Sequence, residues 1–285
     1  MGIRIITDSS ADFDLAAARR RGVGIVPMSI QFGGASFVDG KSITHDLFYR
    51  LLQERKENPS TSQPSPGDVT DLWDQLLESY DEVVYIPMSS GLSASCETAL
   101  MLAGDYRGKV FVADNQRISI TQRQSVLDAL EMAEAGMDGQ AILDVLIRER
   151  LESSIYITVD TLKYLKKGGR VTAAGAAIGA VLNIKPVLTI QGAKLDAFAK
   201  ARGWKAAKKI MLDAMERDIT QRFAGQEVHL AAAYTCTDEE AQEWKEELSA
   251  RFPGYEIHMD RLSLSVACHI GAGSMAVGCS RVVRC

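Results

Sequence analysis

Short apolar runs alternate with helical periodicity through the first half of the chain. Residues 3–6 read as a buried strand. The polar loop Thr7-Asp8-Ser9-Ser10-Ala11-Asp12 follows, then a helix over about 15–21 closed by Gly22. Residues 23–32 read as a second strand that Gly33-Gly34 turns, and Thr44 caps a helix carrying Leu47, Phe48, Leu51 and Leu52. Prolines keep 58–68 extended until Ser65-Pro66-Gly67-Asp68 opens a helix. That start has a capping hydroxyl, proline at the first position and a carboxylate three residues on. Val69, Leu72, Trp73, Leu76, Leu77 and Tyr80 then line one face of it. Strands at 83–86 and 110–113 follow, with helices over 96–103, through Val126, Leu130 and Ala133, and from Asp138 onward. This βαβα alternation predicts a doubly wound parallel sheet.

The pattern changes near 151–154. Residues 155–159 predict a strand, 162–167 a short helix stopped by Gly168-Gly169, and 173–182 a helix of small residues. Segments 186–190 and 194–199 flank Gly192 like a hairpin. Trp204, Ile210, Met211, Ala214 and Met215 mark a helix, 228–234 a strand, and Thr237-Asp238-Glu239-Glu240 a capping box. After a strand at 255–259, the chain closes on a glycine-flanked His269 and a last strand or helix. The expected architecture is α/β: an N-terminal α/β domain over 1–153 and an α+β C-terminal domain over 154–285.

Composition narrows the function. The chain has 285 residues, 46% hydrophobic and 24% charged, which suits a soluble globular protein. Its net charge of −5 gives no overall basic field for nucleic acid. No signal-peptide pattern precedes the first strand, and the small-apolar run 173–182 is too short to span a bilayer. Five cysteines without a CxxC pattern predict reduced, packed thiols and a cytoplasmic location.

The most suggestive stretch is Ser89-Ser90-Gly91-Leu92-Ser93-Ala94-Ser95, four serines around one glycine between a strand and a helix. In open α/β sheets, ligands collect where strand ends meet helix starts, and free amides and hydroxyls there favour an anion. An ordinary polar turn with a serine cap explains the same residues. Neighbouring enzyme motifs fail on spacing. Gly40-Lys41-Ser42 needs a glycine where Ala35 stands, and only nine residues follow Gly271-Ala272-Gly273-Ser274-Met275-Ala276. Gly91-Leu92-Ser93-Ala94-Ser95 is a nucleophile elbow except at Ser95, so Ser93 with His269 and Asp160 defines an alternative, a serine hydrolase acting on lipid esters. The four histidines lack ligand spacing, so no metal is expected. Lys166-Lys167-Gly168-Gly169-Arg170 is either a capped helix end or a local positive spot for phosphate or an acidic partner.

Six segments occur in order along nearly the whole chain: Ile5-Ile6-Thr7-Asp8-Ser9-Ser10, Thr61-Ser62-Gln63-Pro64-Ser65, Ser89-Ser90-Gly91-Leu92-Ser93, Leu165-Lys166-Lys167-Gly168-Gly169-Arg170, Leu182-Asn183-Ile184-Lys185-Pro186 and His269-Ile270-Gly271. This ordered set resembles the DegV family, whose characterised members are fatty-acid-binding proteins serving a bacterial fatty acid kinase. The resemblance implies a non-catalytic lipid carrier with no cofactor and one acyl chain buried between two α/β-type domains. Its carboxylate would be held by Thr61 and Ser93, with Ser62 beside them and His269 contributing from the second domain. Arg170 matches a position linked to docking of the ATP-dependent kinase, which would form the acyl phosphate. Transient membrane contact for ligand exchange is compatible with such a role, as is a lipid-sensing regulatory module without phosphoryl transfer. The family usually has Gly-Thr at Ala94-Ser95 and often proline at Ala272. Met88, Met101, Ala176, Ile178 and Val181 serve equally well as tunnel lining or as ordinary core.

Overall fold

A computed structural model describes residues 2–54, 58–177, 184–192 and 194–284. Two compact units emerge. One comprises the chain to Leu151 with Ser263–Ser265 and a short segment from Val283, the other Glu152–Leu262 and Val266–Val282.

The first unit contains, in order, β1 (Ile3–Asp8), α1 (Leu15–Arg20), β2 (Gly24–Val26), β3 (Ser29–Phe32), β4 (Ala35–Val38), α2 (His45–Glu54), β5 (Ser60–Ser62) and α3 (Pro66–Leu77). It continues with β6 (Glu82–Ile86), α4 (Ser95–Ala103), β7 (Val110–Val112), α5 (Ser119–Glu134) and α6 (Gly139–Arg148). Its main sheet has the order β2-β1-β6-β7 and is wholly parallel. Apolar layers cover both faces, as a parallel sheet requires. Ile5, Val84 and Ile86 pack with Val126, Ala129, Met132 and Ile142, while Ile6, Val83 and Tyr85 pack with Val69, Trp73, Cys96 and Ala99. The expected doubly wound sheet is present.

The expected single strand over 23–32 is two. Pro27 has no amide hydrogen for a ladder, and the chain leaves the parallel sheet there. The second piece, β3, pairs with β4 and β5 in a separate three-stranded antiparallel sheet. The extended 58–68 segment thus supplies a strand, β5, before Ser65 Oγ caps α3 at the Asp68 amide (3.0 Å).

The second unit contains β8 (Ser153–Thr158), α7 (Lys163–Gly168), α8 (Ala173–Ala177), β9 (Ile184–Ile190), β10 (Asp196–Arg202), α9 (Gly203–Arg217), β11 (Val228–Tyr234), α10 (Asp238–Arg251), β12 (Ile257–Arg261), α11 (Leu264–Ile270) and β13 (Met275–Arg281). α11 begins within the three residues that group with the first unit. The sheet order is β10-β9-β8-β13-β11-β12, antiparallel except for β11 with β12. One face carries Tyr156, Val187, Leu230, Ala232 and Val277 against Met211 and Met215 of α9 and Trp244 and Leu248 of α10. The hairpin around Gly192 and the Thr237–Glu240 capping box form as expected. The small-residue helix is described over Ala173–Ala177; the rest of that prediction, with Ile178, Val181 and the Leu182-Asn183 pair, lies outside the described residues. The last element after Gly273 is a strand, β13, and the helix α11 precedes it, carrying Cys268 and His269.

Candidate functional site

β1 and β6 are parallel neighbours, with Thr7 opposite Ile86, so their carboxyl ends lie side by side. This is where the sheet order reverses, the place where open α/β sheets form a crevice. Asp8, at the end of β1, is wholly buried. It accepts from the Met88 amide (2.8 Å), the Ser10 amide (3.1 Å) and Gln122 Nε2 (3.1 Å), and from the Ser10 hydroxyl. Burial pushes its carboxyl above the ordinary value, and these donors oppose that shift. Gln122 Nε2 also lies 3.0 Å from Thr7 Oγ1 and 3.1 Å from Ile86 O. Asp8 and Gln122 therefore tie the two loops together.

The turn after β6 is braced from the loop after β7. Asp114 accepts from the Ser90 amide (3.2 Å) and hydroxyl (2.6 Å), and Arg117 O accepts from the Ser89 amide (2.9 Å). Gln116 of that loop and Ser119, the first residue of α5, have positive φ, and Ser119 donates to Asp12, which also has positive φ. Such conformations persist only where surrounding contacts hold them.

One expectation changes at this level. The free turn amides expected to favour an anion are largely engaged within the protein. Gly91 N donates to Ser89 Oγ, Leu92 N and Ser93 N to Ser89 O, and Ser95 N to Ser93 Oγ. With the Met88, Ser89 and Ser90 amides already bound, hydroxyls are left as the turn's outward donors. Ser89 and Ser90 are tied inward. Half-buried Ser93 differs, because its oxygen accepts from the Ser95 amide (3.2 Å) and its proton can serve an incoming acceptor.

Thr61 lies on β5 opposite Ile30 and is half-buried, while Ser60 and Ser62 are exposed. Strand alternation puts Thr61 and Ser62 on opposite faces. Gln63 Oε1 accepts from Thr98 Oγ1 of α4 (3.3 Å), which holds the end of β5 to the helix that follows the serine turn.

In the second unit His269 sits in the last turn of α11, not in a loop as its glycine neighbours suggested. Gly271, at φ 80°, lies against the Tyr164 ring, where an added Cβ would come 2.7 Å from ring carbons. Gly168 is equally close to His269, since a Cβ there would meet Nδ1 at 2.5 Å. Arg170 donates to Gly168 O, so α7's end, Arg170 and the imidazole form one cluster. Burial, helped by the Arg170 charge, lowers the His269 pKa to about 4. At neutral pH the ring is therefore uncharged, with one nitrogen donating and the other accepting. Arg170 is half-buried beside this ring, while Lys163, Lys166 and Lys167 are exposed.

These features do not favour an acyl-transfer nucleophile. β6 ends at Ile86, well before Ser93, and Ser93 is not among the residues with positive φ that a strained elbow produces. Asp160, the candidate third member, is paired with Lys185. Among the described residues no cluster of three or more His, Cys, Asp or Glu is suited to a metal, and no helix is long and apolar enough to cross a membrane.

Fold and site define a two-unit α/β protein whose parallel sheet ends in a braced, hydroxyl-presenting turn. The chain belongs to the DegV family: the family model described as "Uncharacterised protein, DegV family" matches residues 2–282. A DegV domain-containing protein of Deinococcus radiodurans is 33% identical over 231 residues, covering 81% of this chain and 82% of the relative. One from Staphylococcus aureus is 30% identical over 285 residues, covering 98% and 97%. Among solved structures, a fatty-acid-binding DegV family protein of Thermus thermophilus superposes with a TM-score of 0.90 at 31% identity, covering 99% of this chain and all of that one. Another, from Streptococcus agalactiae, gives 0.88 at 28% identity over 99% and 100%.

Proposed function

We propose that this protein binds one long-chain fatty acid and presents its carboxylate to a separate ATP-dependent fatty acid kinase, with no catalysis of its own. The observation that carries the reading is the full-length likeness to relatives from Thermus thermophilus, Streptococcus agalactiae and Bacillus subtilis described as binding fatty acids. The site chemistry supports it. Hydroxyls of Thr61 and Ser93 are neutral donors for a carboxylate, and His269 is a neutral donor from the second unit, whereas Ser62 is exposed on the other face of β5. A head group held by neutral donors is more easily handed on than one locked in a buried ion pair, which is strongly destabilised when one partner leaves. Burying roughly 14 methylenes at ~0.8 kcal/mol each favours binding by on the order of 10 kcal/mol before ordering costs. A hydrogen bond to the charged carboxylate adds about 1.5–3 kcal/mol. The chain thus supplies affinity, and the hydroxyls decide which end is presented.

Arg170 is proposed to engage the kinase, and cysteines without a CxxC pattern suit a reducing, cytoplasmic setting. Native mass spectrometry of gently purified protein should show one fatty acid bound; a clean mass of protein alone would contradict the reading. Arg170→Glu should leave fatty acid binding intact while lowering acyl-phosphate formation by a fatty acid kinase. Undiminished turnover would remove the docking assignment.

A further inference from the structure

The serine turn ends on a hydroxyl, that of Ser95, set apart from Ser89, Ser90 and Ser93 by its lack of a partner among the described residues. Ser95 is the first residue of α4 and only 5% exposed, and its Oγ is buried without a hydrogen-bond partner among the described residues. Buried hydroxyls are almost always paired, so an unpaired one calls for an explanation. Two further features share its location. The residue before it, Ala94, has no side-chain acceptor, so the nine-residue helix α4 begins without a side-chain cap and its first-turn amides favour a negative group. The Ser95 amide, in turn, is bound to Ser93 Oγ, which fixes the Ser93 hydroxyl at the start of α4.

Resting on the fatty-acid reading, we propose that Ser95 Oγ is a direct donor to the ligand carboxylate beside Ser93, and that it makes the site prefer a free acid over the ester of the same chain. An ionised carboxylate offers two charged oxygens, enough for two hydroxyl donors side by side. An ester offers a single good acceptor, its carbonyl, and places an alkyl group where the second oxygen would be.

The test uses delipidated full-length protein, hexadecanoic acid and methyl hexadecanoate as probes, and the wild type with Ser95→Ala and Ser95→Cys. Removing an unpaired buried hydroxyl relieves the ligand-free protein, so Ser95→Ala should melt no lower than the wild type. It should bind the acid about tenfold more weakly and the ester unchanged. Ser95→Cys keeps the packing but offers only a weak donor, so it should show the same loss for the acid. Wild-type affinity for the acid in either variant overturns the proposal. So does an equal loss for acid and ester with a lowered melting temperature, which is the signature of a packing role. A wild type that binds neither probe overturns the fatty-acid reading itself, and this inference with it.

Discussion

Protonating His269 is harder in the folded protein than outside it, because burial and the Arg170 guanidinium both oppose a second positive charge. The folded value is about 4 against an ordinary 6.5. Above pH 6.5 neither state carries the proton and the stability is fully present. As pH falls from 6.5 towards 4, the unfolded chain takes up a proton the folded one refuses, and about 3 kcal/mol is lost. His269→Gln should flatten that slope in urea titrations between pH 7 and 4.5. Arg170→Gln should move the imidazole titration upward in NMR, while burial keeps it below 6.5. Asp128 behaves oppositely. Burial raises its carboxyl to about 6 from 3.8, with Gln124 and Arg117 pulling the other way. The folded state holds that proton more tightly, so stability falls as pH rises from 3.8 through 6. Asp128→Asn should therefore stabilise the protein at pH 7 by about 3 kcal/mol and change little near pH 3.5. Neither shift is legible in the sequence. Burial raises Asp128 against the pull of Arg117, and burial followed by the Arg170 charge lowers His269; all of these arise only from the fold.

At the scale of elements, local signals were read well where the chemistry is local. Ser65, Asp138 and Thr237 cap the helices they were expected to cap, each accepting from an amide three residues on. The split of residues 23–32 was missed although Pro27 marks it, because an apolar run on both sides looks continuous. Ser89 to Ser95 stood out in the sequence, but its bracing did not. Asp114 holds Ser90 from 24 positions away and Asp8 holds Met88, just before the turn, from 80, separations no local pattern reveals. Asp114→Asn leaves one acceptor where Ser90 needs two. It should lower stability by about 1.5–3 kcal/mol and weaken fatty acid binding, read by urea midpoint and by titration. An unchanged affinity would show that the brace does not shape the site. Gly168→Ala should displace the His269 ring, visible as a shift of its NMR resonances, since the new methyl would stand 2.5 Å from Nδ1. Thr237→Ala serves as a control, costing about 1 kcal/mol through a lost cap without changing ligand affinity.

For the whole molecule, the sequence pattern anticipated a parallel-sheet part followed by a second mixed part, and the sheets bear out that class of fold. It did not anticipate that Val283, near the end of the chain, packs with the first unit's core, or that the Ser263 and Ser265 amides donate to Asp12 and Asp39. Contacts over such separations leave no periodic trace. A ligand that binds only the folded protein stabilises it by mass action, about 2.7 kcal/mol at a hundredfold excess over Kd, so fatty acid should raise the melting temperature in a concentration-dependent way. The central claim is that a fatty acid is held by its carboxylate at the serine turn. Calorimetric titration of delipidated wild type and Ser93→Ala with hexadecanoic acid tests it most directly. The wild type should show saturable one-site binding, weakened about tenfold or more in the variant. No binding by the wild type, or equal affinity in the two, would contradict it.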